Sequence, residues 1–378
     1  MFSAKQKIEA LLKEAGIDIN GSGECDLQVF NEKLYQRVLT GGSLALGESY
    51  IDGWWDAKSL DGFFYTILSA GVPQKFVFTW PELLAFLRAW FFNLETPARA
   101  FKVGQQHYDI GNDVYEAMLD KRLVYTCGYW NPSTSLRAGA QNLDEAQESK
   151  LDLVCRKIGL KKGNTVLDIG CGWGSFLKFA AEKYQAKGTG ITVSKNQAEL
   201  ANKLCEGLPV EIKLQDYRDT IGKFDHVVSL GMFEHVGTKN YQTFFKKAHE
   251  LLKDDGLFLL HTIGVSQPMK FADPWVEKYI FPNSILPAPA QISKSIEGLF
   301  VMEDWHNFGA DYDKTLMTWF KNFDAAWPKL QGKYSEKFYR MWKYYLLSFA
   351  GAFRNRDLQL WQIVLSKKGV PGGYKSVR

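Results

Sequence analysis

Val166-Leu-Asp-Ile-Gly-Cys-Gly-Trp-Gly-Ser-Phe176 is the stretch on which the fold turns. A short apolar run carries Asp168 and gives way to Gly170, Gly172 and Gly174, and helix-forming sequence follows. Glycines at such a joint let the main chain turn sharply and let a ligand approach the backbone. A dinucleotide loop wants G-x-G-x-x-G, to seat a pyrophosphate on a helix N-terminus. Here the third glycine comes one position early, and an acid stands two residues before the first. That layout suits a ligand with no phosphate and a cationic centre, with Asp168 receiving an ammonium or ordering water beside it. The competing reading is a turn with no ligand.

Outward from the loop, residues 145–265 alternate between helical and strand-like patterns. Residues 145–158 are amphipathic through Leu151, Val154 and Ile158, and 176–184 and 195–204 read as helices. Apolar runs at 165–169, 188–193, 211–214, 224–230 and 256–261 read as strands. Strands separated by helices predict an α/β fold with a parallel, doubly wound sheet. Residues 1–100 read as a small, mostly helical domain with glycine joints, leaving 101–378 as the catalytic domain. Five prolines between 268 and 289 make 266–300 a long excursion or lid. The basic stretch 367–378 reads as a frayed tail.

Composition narrows the function. The chain has 378 residues, 46% hydrophobic and 23% charged, which excludes disordered and fibrous classes. A net charge of only +4 gives no footprint for a nucleic-acid partner. The charge is uneven: nine Lys/Arg face twelve Asp/Glu in residues 1–100, against 37 and 30 in the remainder. Cysteines at 25, 127, 155, 171 and 205 are odd in number and form no CxxC, so neither disulfides nor a metal site is expected. Free thiols fit a reducing cytoplasm. The N-terminal residues lack the apolar run of a signal peptide. Aromatics reach 15%, an excess that either fills a core or lines an apolar site. The greasiest stretch, 76–92 (FVFTWPELLAFLRAWFF), is interrupted by Pro81, Glu82 and Arg88 and is too short to span a bilayer. It reads as a buried helix or a membrane-surface helix, with Arg88, Arg99 and Lys102 near enough to meet anionic head groups.

The glycine loop resembles motif I of class I S-adenosylmethionine-dependent methyltransferases, which implies a Rossmann-like sheet. Many such enzymes end the second strand on Asp or Glu, to bind ribose hydroxyls. Here that position reads Ile191-Thr-Val-Ser-Lys-Asn-Gln197, so Thr192, Ser194 and Gln197 are the candidates instead. After the third strand, the turn Gln215-Asp-Tyr-Arg218 offers Asp216 to an adenine amine and Tyr217 for stacking.

Further stretches extend the resemblance along nearly the whole chain. They include Gly47-Glu-Ser-Tyr-Ile-Asp-Gly-Trp-Trp55, His107-Tyr-Asp-Ile-Gly-Asn-Asp113, Tyr125-Thr-Cys-Gly-Tyr-Trp130, Gly231-Met-Phe-Glu-His-Val-Gly237, Leu260-His-Thr-Ile-Gly264 and Ala350-Gly-Ala-Phe-Arg-Asn-Arg-Asp357. Together they resemble the cyclopropane-fatty-acyl-phospholipid synthase family. The resemblance implies methyl transfer from S-adenosylmethionine to a cis double bond of a phospholipid acyl chain, then proton loss that closes a three-membered ring. It also implies a homodimer at the inner face of a bacterial cytoplasmic membrane, with Tyr125 and Thr126 beside the cofactor. Bicarbonate is implied as proton acceptor, cradled by Cys127, Glu234, His261, the backbone of Ile263, and Tyr312.

The chemistry is demanding. An alkene is a weak nucleophile, and adding a methyl leaves a carbocation. The site needs an aligned donor, a base, exclusion of water, and aromatic faces that tolerate a cation. Tyr129 and Tyr312 lead the aromatic candidates, ahead of Trp130, Phe233 and Trp305. An anion beside Glu234 would raise its pKa, or use it as the next proton station. Cys127 has no sequence neighbour to stabilise a thiolate, which favours a weak hydrogen-bond role. Some relatives carry a cysteine just before the Ala-Gly-Ala-Phe-Arg motif; here that position is Phe349, which argues against an obligatory covalent role there. Rival readings are a methyl-branching, hydroxylating or N-methylating relative, and a non-catalytic lipid-binding protein.

Overall fold

The computed structural model describes residues 3–73, 111–130, 142–269 and 271–378. The stretch 76–92, the nearby cations Arg88, Arg99 and Lys102, and the start of the His107 motif lie outside the described residues. The chain gathers into two compact units. One comprises Met1–Asn93, Lys270–Pro282 and Tyr312–Leu358, the other Leu94–Met269, Asn283–Asp311 and Gln359–Arg378. The division interleaves along the chain: two later segments, on either side of 283–311, join the N-terminal residues.

The first unit is helical. Ala4–Glu14, Lys33–Ile51, Leu60–Ser69 and Glu336–Asn355 are its main described helices, with most of Ala310–Leu330. Ser3, Ser59 and Ser335 each cap a helix start by accepting a backbone N–H. A two-residue pair, β1 (Gln28–Val29) with β2 (Trp55–Asp56), runs antiparallel. The Gly47–Trp55 motif has a packing role here. Tyr50 and Trp55 are fully buried with ring centroids 5.1 Å apart. Arg340 lies 4.0 Å over the Tyr50 ring and donates to the carbonyls of Tyr50 and Trp55.

The second unit is the expected α/β sheet. Its strands are β3 (Thr165–Ile169), β4 (Lys187–Thr192), β5 (Val210–Leu214), β6 (Phe224–Leu230), β7 (Leu252–Val265), β8 (Val301–Asn307) and β9 (Leu358–Ser366), in the order β5-β4-β3-β6-β7-β9-β8. The pairs from β5 through β7 are parallel. The β8–β9 pair is antiparallel, so the sheet is mixed where the sequence predicted a parallel one. The physical reason is in the side chains: β8 (VMEDWHN) is a polar edge strand, and β9 beside it is buried through most of its length.

Both sheet faces are covered, and the alternation along each strand assigns the sides. Leu167, Ile169, Val227, Phe258, Leu260 and Ile363 belong to one apolar cluster, with Phe244 and Ile292 from the helices Tyr241–Leu251 and Pro289–Ile296. Val166, Val228, Leu259 and Val364 belong to the other, with Leu151 and Val154 of the helix Leu143–Lys157. Side chains two apart share a face. Asp168, His261 and Gln362 therefore all project towards the side covered by Leu143–Lys157. The Pro-rich segment 266–300 carries two short helices, Pro274–Tyr279 and Pro289–Ile296, and the second packs Ile292 and Ile296 into the sheet core.

The tail is docked, not frayed. Arg378 donates twice to Asp304, at 2.7 and 2.9 Å, Ser376 donates to the same carboxylate, and Tyr374 donates to the Lys157 carbonyl. Asp304 is buried 3.6 Å from the ammonium of Lys157, which burial pushes down to about 7. A buried carboxylate with one weakened partner recruits a second cation. Arg378→Ala is expected to lower stability by about 1–3 kcal/mol, seen as a lower urea midpoint. A midpoint equal to the parent's would show that the docked tail adds nothing. Among the described residues no helix is long and apolar enough to cross a membrane.

Candidate active site

β3 delivers Asp168 to the bend that begins the glycine loop. Gly170, Gly172 and Gly174 all have positive φ, at 85°, 55° and 78°. A Cβ on Gly170 would lie 2.5 Å from the Met232 side chain, so this position has no room for one. Around Gly172, by contrast, nothing among the described residues would come within 4 Å of a Cβ. The loop thus turns inward at Gly170 and leaves open space at Gly172. Cys171 packs in the apolar cluster, as a small residue should.

Asp168 is almost fully buried, and its Oδ1 has no hydrogen-bond partner among the described residues. Burial raises its carboxyl to about 7, while the charge of Lys150 pulls the other way. A buried acid with an orphaned oxygen is matched to a cationic ligand group.

The second-strand candidates form a closed set. The Thr192 hydroxyl donates to Gln197 Oε1 at 2.9 Å and accepts the Ser194 N–H, and Ser194 caps the next helix through the Gln197 N–H. The Gln215 N–H is taken by the Thr192 carbonyl. Asp216 engages Arg218 through both oxygens, at 2.7 and 2.8 Å, and also accepts the Arg218 backbone N–H. Tyr217 is buried with its ring edge-on to Phe244, 5.4 Å away, and belongs to the sheet core. These contacts give Asp216 and Tyr217 local partners that the sequence did not indicate.

The segment 120–130 is anchored by the helix Leu143–Lys157. Gln147 donates to the Thr126 carbonyl at 2.7 Å, and the Lys150 ammonium donates to Thr126 Oγ1. Asp120 accepts the N–H groups of Val124 and Arg122, and burial raises its carboxyl to about 6. Tyr125 meets Tyr115 edge-on at 5.1 Å. Cys127 is buried, with Sγ 3.1 Å from the Gly128 carbonyl. Lys150 lies within electrostatic reach of it, a cation that no adjacent residue supplies. Tyr129 packs edge-on to Phe308 and His306 at 5.4 and 5.8 Å, and Phe308 in turn lies 6.0 Å from His261. Phe233 is fully buried and stacked on Tyr241 at 4.3 Å, so its ring is core and does not line the site. Trp305 packs against Trp361 at 5.0 Å.

Glu234 follows β6, and β7 holds its carboxylate. Oε1 accepts the Ile263 N–H at 2.6 Å, and Oε2 has no partner among the described residues. Burial raises the acid to about 7, only partly opposed by that N–H. The rise comes from desolvation within the chain itself, where the sequence argument invoked a neighbouring anion. The Ile263 N–H is committed to Glu234 and so orients the acid. His261 is buried two residues earlier on β7. Its Nδ1 lies 3.3 Å from the Gln362 amide nitrogen, and its Nε2 has no partner among the described residues. Burial, reinforced by the charges of Lys150 and Lys157, holds its pKa well below the ordinary value, so the ring is neutral. With the Gln362 NH2 facing Nδ1, the ring proton belongs on Nε2. Tyr312 belongs to the helical unit, where it tilts against Phe353 at 4.5 Å.

Sequence reasoning missed Gln147 and Lys150. The signal was present: both sit on the apolar face of an amphipathic helix, three residues apart, where a polar residue needs a buried partner.

A family model described as mycolic acid cyclopropane synthetase matches residues 95–363. The chain is 50% identical over 368 residues to the cyclopropane-fatty-acyl-phospholipid synthase of Escherichia coli (strain K12), covering 97% of this chain and 94% of that one. Among solved structures, the cyclopropane synthase MmaA2 from Mycobacterium tuberculosis superposes with a TM-score of 0.66 at 29% identity, over 73% of this chain and all of that one. The mycolic acid cyclopropane synthase CmaA1 complexed with SAH and CTAB gives 0.64 at 30% identity, over 71% and 98%. With a methyltransferase sheet, an orphaned acid before its glycine loop, and this identity over nearly its full length, the chain belongs to the mycolic acid cyclopropane synthetase family of S-adenosylmethionine-dependent enzymes.

Proposed function

We propose that the protein forms cyclopropane rings on unsaturated acyl chains of phospholipids, transferring a methylene from S-adenosylmethionine to a cis double bond with bicarbonate as the first proton acceptor. The observation that carries the reading is a pair of buried, unpartnered atoms: Glu234 Oε2, on an acid that titrates near neutrality, and Nε2 of neutral His261. Such a pair can hold a small polar anion and move a proton.

S-adenosylmethionine, when bound, supplies an electrophilic methyl group. Asp168 receives the donor's ammonium, and the open backbone at Gly172 lets it approach. Thr192, Ser194, Gln197, Gln215 and Asp216 would surround its adenosine, and Tyr125 and Thr126 its amino-acid end. Bicarbonate, when bound, accepts the proton lost from the added methyl as the ring closes. His261 Nε2–H would donate to that anion, Cys127 would add to its cradle, and Glu234 Oε2 would take the proton onward. The Ile263 N–H acts one step back, by fixing Glu234. Tyr129 would offer its ring to the positive charge on the acyl chain. Burial of these groups excludes water, which would trap the cation as an alcohol.

Membrane-surface binding by the 1–100 region, including 76–92, and assembly as a homodimer on the cytoplasmic side complete the proposal. The more positive 101–378 region suits anionic phospholipid. The test is incubation with S-adenosylmethionine and unsaturated phospholipid vesicles, with and without bicarbonate. Mass spectrometry should find acyl chains that gain CH2 and lose the alkene, faster with bicarbonate. Unchanged acyl chains in every condition would refute the reading. Ring formation indifferent to bicarbonate would remove the anion from it.

A further inference from the structure

Two opposite charges sit on the same face of the sheet without pairing. Lys150 is fully buried, and Asp168 is exposed by only 2%. Each feels the other's charge. Yet the Lys150 ammonium donates to Thr126 Oγ1, and Asp168 Oδ1 has no hydrogen-bond partner among the described residues. Asp120, the other acid that Lys150 senses, has its oxygens occupied by backbone N–H groups. Buried charges are normally paired, because desolvating each alone is costly. A fold that keeps two apart is prepared for a ligand carrying both signs.

The amino-acid end of S-adenosylmethionine is such a ligand, with an ammonium and a carboxylate on one carbon. Because the Thr126 hydroxyl oxygen accepts from Lys150, its own hydrogen is left to donate outward. Gln147 holds the Thr126 carbonyl at 2.7 Å, so the hydroxyl is fixed at both ends of its residue. We propose that Lys150 and Asp168 together read this zwitterion, Asp168 at the ammonium and Lys150, through Thr126 and its own charge, at the carboxylate. The inference rests on the methyl-donor reading and assigns Lys150 as a positioning residue of that site.

Titration calorimetry without lipid separates it from turnover. The probes are S-adenosylmethionine, decarboxylated S-adenosylmethionine, which keeps the ammonium, and 5′-methylthioadenosine, which has neither charge. Lys150→Met should weaken the first by about tenfold or more, the value of a lost charge-assisted hydrogen bond, and leave the other two within about twofold. Lys150→Arg should restore part of the loss. Asp168→Asn should weaken both ammonium-bearing probes and spare 5′-methylthioadenosine, which also reports that the adenosine subsite is folded. If Lys150→Met weakens decarboxylated and intact donor alike, or neither, the inference fails while the donor reading stands. If the parent binds no probe, both fail.

Discussion

Replacing Glu234 with Gln is expected to cut ring formation by roughly 10²–10⁴-fold, the range of a lost general acid or base, with donor affinity kept within about twofold. Gln is a fair mimic of the shape. Its amide oxygen can keep the Ile263 N–H bond, and its NH2 can occupy the place of the orphaned Oε2. What it cannot do is gain or lose a proton near neutrality. The same substitution has a signature in stability. The Glu234 carboxyl rises from 4.5 to about 7 in the folded protein, so the native state holds a proton that the unfolded chain has released. Its contribution to stability is full below pH 4.5 and is lost as pH climbs through 7, at most about 3 kcal/mol. Asp168 and Asp120 act in the same sense, while buried His261 and Lys157, held below their ordinary values, act in the opposite one, so the parent's own pH profile does not report Glu234 alone. The parent-minus-variant difference isolates Glu234: Glu234→Gln should be relatively more stable at pH 8 than at pH 5. Product mass spectrometry and denaturant titrations at the two pH values check both halves. Retained activity would remove Glu234 from the proton path, and a pH-independent stability difference would remove its raised pKa.

The parts of this design that were legible in sequence are those with local causes. The strand containing Asp168, the glycine loop and the helix Lys195–Leu204 follow from periodicity and turn chemistry over ten or so residues. The antiparallel β8–β9 pair does not, because β8 reads as polar and owes its place to a partner more than fifty residues away. The site divides the same way. Glu234 and His261 stand out as motif residues, but the cause of the raised Glu234 acid is burial, which no short window reveals. Lys150 looks like one of many helix lysines until the fold buries it. Ring direction is equally non-local: Phe233 and Tyr217 turn into the core beside Phe244, while Tyr129 meets the Phe308 ring that lies 6.0 Å from His261. The tail shows the converse error. Its basic composition suggested solvent, but Arg378 has a buried carboxylate to meet.

Gly170→Ala is expected to be strongly damaging to the catalytic unit, and the comparison with Gly172→Ala shows why. Both glycines have positive φ, so each alanine incurs about 1–2 kcal/mol of backbone strain. Only at position 170 does the new Cβ meet atoms, at 2.5 and 2.6 Å from Met232 Cγ and Cβ. Overpacking of that kind adds about 1–3 kcal/mol. For a unit of this size the Gly170→Ala melting temperature should fall by about 5–15 °C, and that of Gly172→Ala by about 2–6 °C. The functional consequence also differs. Met232 lies two residues before Glu234, so relief of the clash shifts the segment that aims the acid, and Gly170→Ala should lose both donor affinity and turnover. Gly172→Ala places its methyl within 4 Å of no described atom, so it should stay folded and, if the donor passes the open backbone there, lose donor affinity chiefly. Thermal unfolding with donor titration of the two variants decides it. Equal melting temperatures would mean that Met232 yields freely, and that the loop and the acid are not mechanically joined.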